Sequence, residues 1–365
     1  MKYLFINSVA GFGSTGRIAA EQCRGLMAQG HECVLAFGRE EANCSDIPTV
    51  RIGTPMDYRL HGAESRLLDD SGFGSRRATR RFLAWVREYD PDVIWLHNIH
   101  GYYIHLGELF TYLRGCGKTI FWTLHDCWAF TGQCAYFSEA GCTKWETACS
   151  ECKRIREYPE AYCDRTKTMF RLKKKWFTGV KNLTVVTPSE WLAGLVGRSF
   201  LSGYPGRVIH NGIDLSVFRP TPSDFREKHG IPENVKIVLG VAFGWGERKG
   251  LDVFVSLASR LEPDKYRIVL VGTDEKVEKE LPDGIIPVRR THSREELAAI
   301  YTAADVFVNP TREDNYPTVN MEAEACGTPV VTFRTGGSPE NVFTGYGAVV
   351  DCGDTDGTEA AIRMI

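Results

Sequence analysis

The sequence predicts an α/β protein built from two doubly wound domains, and three observations carry that prediction. Short, β-branched, uninterrupted apolar runs recur along the chain, the pattern of parallel strands covered on both faces. At 365 residues the chain is too long for one ordinary core. The alternation also breaks at Asn211–Asp224, where Asn-Gly, Arg-Pro and Thr-Pro-Ser interrupt periodicity, and then restarts at Val235. Domains over residues 1–214 and 215–365 follow, facing a cleft, with ligands expected at the carboxyl ends of the strands.

In chain order, a strand over Tyr3–Asn7 leads into a glycine loop, Gly11–Gly16, and a helix from about Arg17 to Gln29 ended by Gly30. Further strands are expected at Cys33–Phe37, Val93–Leu96, Ile120–Leu124, Leu183–Val186 and Arg207–Ile209. The second half contributes Val235–Gly240, Arg267–Val271, Val306–Val308 and Val330–Phe333, with helices between. Ser293 and Glu296 read as a capping box, followed by Leu297, Ile300, Tyr301 and Ala304 on one helical face.

Composition narrows the function classes. A net charge of −2 and 25% charged residues give no global signature of nucleic-acid binding. The opening run lacks the length and cleavage pattern of a signal peptide, and no later stretch is long enough to span a bilayer, so a cytoplasmic location is expected. Six of the twelve cysteines fall between Cys127 and Cys163. Of these, Cys134, Cys142, Cys149 and Cys152 read as a structural zinc cluster, as buried thiols or as disulfides; only Cys149-x-x-Cys152 has good chelate spacing.

The most informative segment is Asp314-Asn315-Tyr316-Pro317-Thr318-Val319-Asn320-Met321-Glu322, which joins two carboxylates eight positions apart through a loop that becomes a helix. Pro317 suits a first helical position, so the amides of Thr318, Val319 and Asn320 would sit at a positive helix end suited to a phosphate. A diphosphate there, with carboxylates on either side for sugar hydroxyls, describes a nucleotide-sugar site and predicts a glycosyltransferase. Lys249, with Arg248, precedes a helix after a strand and could neutralise a leaving diphosphate. His125 follows the strand Ile120–Leu124, where an imidazole can donate to a substrate hydroxyl or to developing charge; a structural His125–Asp126 bond is the plainer reading.

Other motifs keep alternatives open. Gly11-Phe12-Gly13-Ser14-Thr15-Gly16 could cradle a phosphate or bind a dinucleotide through Glu40, Glu41 or Arg39, which leaves an NAD(P)-dependent dehydrogenase as a rival. Phe170–Phe177 alternates apolar and basic residues, as in a helix lying on an anionic membrane near a lipid-linked acceptor, with Arg76, Arg77, Arg80 and Arg81 extending the patch. An ordinary surface helix with inward aromatics is the simpler reading. A non-catalytic nucleotide-sugar-binding protein and an epimerase of similar fold are further rivals.

The chain resembles retaining glycosyltransferases of family 4, with the GT-B fold, in the subgroup of bacterial exopolysaccharide and colanic-acid type enzymes. The resemblance runs through Gly13-Ser14-Thr15-Gly16-Arg17, Trp122–Trp128, Val186–Ser189, Ile209–Asp214, Arg248-Lys249-Gly250 and Glu322–Val331. It implies that Glu322 holds the donor ribose, Asp314 contacts the donor sugar where relatives have glutamate, Lys249 binds phosphate, and His125 is an active-site residue. It places Gly13, Ser14, Thr15 and Gly16 in a flexible acceptor or phosphate loop. Arg248 would stand in for an arginine that relatives carry earlier, where this chain has Phe243-Gly244-Trp245. It further implies transfer from a nucleotide-diphosphate sugar to a glycan or lipid-linked acceptor with retention and without a required metal. Relatives continue past the point matching Ile365, so a shortened carboxyl end, with impaired domain closure, is also expected.

Overall fold

A computed structural model describes residues Met1–Ile365 and divides them into two compact units, Met1–His210 and Asn211–Ile365. The first unit contains strands β1 (Lys2–Ile6), β2 (Glu32–Phe37), β3 (Thr49–Arg51), β4 (Val93–Leu96), β5 (Thr119–Thr123), β6 (Leu183–Thr187) and β7 (Gly206–Val208). They form one parallel sheet in the order β3-β2-β1-β4-β5-β6-β7. Its helices are α1 (Gly13–Ala28), α2 (Pro55–Leu68), α3 (Arg76–Tyr89), α4 (Leu106–Gly115), α5 (Thr166–Phe177) and α6 (Glu190–Arg198).

The middle of the sheet is buried on both faces because its central strands are mostly apolar. In β1, Leu4 and Ile6 join a core with Leu83, Leu109, Phe110 and Phe177, while Phe5 faces a second core containing Ala19, Ala20 and Cys23 of α1.

The second unit opens with the short α7 (Phe225–Lys228) and continues β8 (Lys236–Val241), α8 (Leu251–Ala258), β9 (Tyr266–Val271), α9 (Glu275–Glu280), β10 (Ile285–Val288), α10 (Arg294–Ala303), β11 (Val306–Asn309), α11 (Thr318–Ala325), β12 (Val330–Phe333), β13 (Ala348–Val350) and α12 (Thr355–Met364). The parallel order is β10-β9-β8-β11-β12-β13. Ile237 and Leu239 pack with Tyr301 and Ala323, while Val238 turns to Phe254, Leu257 and Ile362. The predicted fold class, two parallel-sheet Rossmann-like units, is therefore borne out.

Several expectations need correction. Helix α1 starts at Gly13, not near Arg17, so Gly13, Ser14, Thr15 and Gly16 form its first turn instead of a free loop. Gly16 must lack a side chain because a Cβ would lie 2.9 Å from Val9 Cγ2. Helix α2 had not been anticipated, although Thr54 and Asp57 cap it reciprocally. The expected box at Ser293 is half formed: Ser293 Oγ accepts from Glu296 N at 3.1 Å, but Glu296 reaches past it to His292 N.

Candidate functional site

In the second unit, the loops following β8 and β11 are tied to one another. Arg312 N donates to Arg248 O at 2.9 Å, Arg248 Nη1 donates to Glu313 O at 3.2 Å, and Arg312 Nη2 pairs with Asp252 Oδ2 at 2.6 Å. Held on this frame, Lys249 Nζ meets Asp314 Oδ2 at 2.6 Å, with about a fifth of each side chain exposed. Arg248 spends one guanidinium bond on the loop backbone, which qualifies its expected role as a phosphate ligand. Gly336, at φ +54°, closes against the carbonyl of Asp314, and any Cβ there would overlap that oxygen.

Pro317 is the N-cap of α11, not its first helical residue as the sequence suggested. The first-turn amides of Thr318 and Val319 are half-buried at the helix tip, whereas Asn320 N already donates to Pro317 O at 3.2 Å. Asn320 therefore differs from the expected ligand. Its side chain is buried in a relay: Asn309 Nδ2 donates to Asn320 Oδ1 at 2.8 Å, Asn320 Nδ2 to Asn341 Oδ1 at 2.9 Å, and Asn341 Nδ2 to Pro317 O at 2.7 Å. This relay sets where the helix begins. Glu322, one turn further in, is 8% exposed and accepts from Tyr301 Oη at 3.3 Å. Burial, then the neighbouring Glu322, pushes the Tyr301 phenol well above its ordinary range, so it remains a donor.

In the first unit, His125 follows β5, and His97 follows the adjacent β4. Their rings stack with centroids 5.2 Å apart, and His97 Nδ1 lies 2.9 Å from His125 Nε2. His100 Nε2 bonds Asp126 Oδ2 at 3.0 Å, and Trp128 N donates to Asp126 Oδ1 at 2.9 Å. The plainer His125–Asp126 pairing is thus replaced by two separate pairs. Burial pushes His125 down to about 4, against the upward pull of Asp126, and drives His97 well below its usual range. Burial would raise Asp126, but His100, the Trp128 amide and His125 together outweigh it and hold its carboxyl low. His97, Asn98, His100, His125, Asp126 and Trp128 line a shallow, narrow recess.

Behind this recess, Lys173 of α5 is fully buried, although the sequence placed it on a basic surface. Its Nζ donates to Trp128 O at 2.8 Å and Thr131 O at 3.2 Å and sits 3.5 Å from the centre of the Trp128 ring. Phe170 and Phe177 point inward as the surface-helix reading required, while Lys167, Arg171, Lys174 and Lys175 are exposed. Arg76 and Arg80 share Glu108 at 2.7 and 2.9 Å, so one of the four charges of the predicted arginine patch is offset.

All twelve cysteines are free thiols. Cys149 Sγ accepts from Gly132 N at 3.2 Å, and burial raises the Cys134 and Cys149 thiols to about 12 and about 11. No three of the clustered cysteines, with or without nearby His, Asp or Glu, converge as a metal-ligand set. Of the three readings of Cys134, Cys142, Cys149 and Cys152, buried thiols therefore fit the structure better than a zinc cluster or disulfides. No helix is long and apolar enough to cross a membrane.

His97, His100, Asn309 and Asn341 were missed by sequence reasoning, and Tyr301 was read only as part of a helical face. The histidines carried a usable signal, since His97-Asn98-Ile99-His100 follows a strand just as His125 does.

Two parallel-sheet, Rossmann-like units in one chain match the GT-B fold. The family model described as Glycosyltransferase Family 4 matches residues 15–217, and that described as Glycosyl transferases group 1 matches residues 235–365. The chain belongs to glycosyltransferase family 4. Among curated proteins it is 26% identical over 321 residues to the putative colanic acid biosynthesis glycosyl transferase WcaC of Escherichia coli K12, covering 83% of this chain and 74% of that protein. Sucrose-phosphate synthase from Thermosynechococcus elongatus superposes with a TM-score of 0.74 at 20% identity, covering 100% of this chain and 89% of that one. Anabaena HepE in complex with UDP and glucose superposes at 0.69 with 16% identity, over 100% and 89% of the two chains. Family membership favours a transferase over the dehydrogenase rival, whose acidic candidate Glu41 is engaged by Arg51 at 3.1 Å.

Proposed function

We propose that this chain transfers a sugar from a nucleotide-diphosphate donor to an acceptor hydroxyl, with retention of configuration, in glycan biosynthesis. The observation that carries the reading is the pairing of Lys249, on the loop after β8, with Asp314, on the loop that enters α11. A carboxylate for sugar hydroxyls thus stands on the segment that leads to the Thr318 and Val319 amides, and a cation for the leaving diphosphate is held against it from the neighbouring loop. Glu322, one turn away, suits the donor ribose.

In this reading the second unit, from residue 215, takes the donor, and the first, through residue 214, takes a glycan or lipid-linked acceptor. Lys249 and the α11 amides stabilise negative charge on the departing diphosphate, one of whose oxygens receives the acceptor proton. His125 donates a hydrogen bond to a substrate hydroxyl. No protein nucleophile and no divalent metal are required. The UDP- and glucose-bound neighbour and the colanic-acid relative support this choice of donor class and pathway. We place the protein in the cytoplasm, with the exposed Lys167, Arg171, Lys174 and Lys175 of α5 available to an anionic membrane surface.

Thermal-shift measurements with UDP-, GDP- and ADP-sugars identify the donor, and NMR of the product reports its anomeric configuration. Stabilisation by one nucleotide-sugar class and a product of unchanged configuration are expected. Inversion would remove the retaining mechanism, and loss of turnover in EDTA restored by manganese would remove metal independence.

A further inference from the structure

We propose that His97 is a positioning residue for the transfer reaction: its Nδ1–H donates to His125 Nε2 and holds His125 in the Nδ1–H tautomer. The proposal rests on the glycosyltransferase reading of His125.

The two histidines follow adjacent parallel strands, β4 and β5, in which Leu96 pairs with Trp122. His97 N donates to Ile6 O at 2.9 Å, anchoring the backbone to the next strand. The ring is 1% exposed and layered among Phe5 (5.9 Å between centroids), Trp95 (6.4 Å) and His125 (5.2 Å). The imidazole of His125 is therefore met by a partner of fixed direction at 2.9 Å.

Two neutral imidazoles in such contact share one proton, which leaves two arrangements. If His125 were the donor, His97 would carry its own proton on Nε2, and that atom is buried without any hydrogen-bond partner. A buried N–H without an acceptor is the rarer and costlier defect. If His97 donates from Nδ1, its Nε2 is only a bare lone pair. The second arrangement wins. His125 then carries its proton on Nδ1 and acts there as a donor, not as a base.

Neutrality of both rings follows from their surroundings. The titratable groups beside the pair are His100 and Asp126, which are bonded to each other at 3.0 Å, and Asp126 also accepts from Trp128 N. No carboxylate hydrogen-bonds His97, and burial lowers the basicity of both His97 and His125.

The test combines spectroscopy with kinetics. Long-range proton–nitrogen spectra of protein labelled at histidine nitrogen, with His125 assigned through His125→Gln, should show His125 protonated at Nδ1. An Nε2-protonated His125 would overturn the proposal. His97→Phe keeps ring volume but removes the donor and should lower kcat about tenfold to a hundredfold with the donor KM nearly unchanged. His97→Asn, whose amide can replace the Nδ1 donor, should recover most of that loss. A His97→Phe enzyme with wild-type kcat would also overturn it. The spectra need only the wild-type fold, so they decide even if His97→Phe does not fold. Absence of nucleotide-sugar turnover by the wild-type protein would instead sink the functional reading, while the tautomer still decides the pairing.

Discussion

Lys249 Nζ and Asp314 Oδ2 stand 2.6 Å apart although 65 positions separate them in the chain. Each side chain had been singled out for a separate task, and the fold makes them one unit. The pair is partly exposed, so its contribution to stability is small. Its value is positional: Asp314 orients the ammonium in the absence of substrate, and a bound diphosphate can share or take over that ammonium.

Lys249→Ala should therefore lower kcat by about two to three orders of magnitude, with little change in melting temperature. Asp314→Ala should lose both the sugar contact and the orientation of Lys249. Steady-state kinetics beside a thermal melt check both, and near-normal donor consumption by Lys249→Ala would remove it from the site.

Glu322 accepts from the buried Tyr301 hydroxyl. Removing that hydroxyl in Tyr301→Phe should weaken donor binding modestly, by the equivalent of about 0.5–1.5 kcal/mol. Glu322→Ala should abolish donor binding, as titration calorimetry would show. Equal affinity in Glu322→Ala and wild type would dissociate this carboxylate from the ribose.

The relay Asn309–Asn320–Asn341–Pro317 is buried throughout and fully bonded in sequence. Asn320→Ala leaves two amides without a partner and should destabilise the second unit by about 1–3 kcal/mol per orphaned group. Denaturant unfolding measures this. A neutral substitution would mean that the start of α11 is set by Pro317 alone.

Burial lowers Lys173 from its ordinary range to about 7, against the opposing pull of Asp69, the carboxyl of which burial raises to about 7. Between the folded and unfolded pKa values of Lys173 the unfolded chain binds the extra proton, so stability contributed at this site rises as pH increases through that window. Comparing wild type with Lys173→Met cancels groups common to both. The wild-type advantage should grow by about 1–3 kcal/mol between pH 7 and pH 9. A flat difference would show that the ammonium stays charged in the fold.

The sequence alone determined the α/β class, the doubled architecture and most of the buried strands, because a parallel sheet covered on both faces demands apolar residues at every position. Strands β3, β10 and β13 escaped notice, and all three lie at sheet edges. Each has only three or four residues, and β10 carries Pro287, which an edge tolerates. They are also less buried than the comparably short β11 and β12, so an unbroken apolar run is less strictly required of them.

The chemical types at the site were equally legible: Asp314, Glu322, Lys249 and His125 stand at strand ends or helix starts, where local rules apply. What only the tertiary structure decided was partnership. Spacing cannot show that Lys249 meets Asp314, that His97 rather than Asp126 bonds His125, or that Lys173 is buried under Trp128. A hydrogen bond depends on distance and direction between side chains, and for residues from different strands and loops those are set by sheet order and packing.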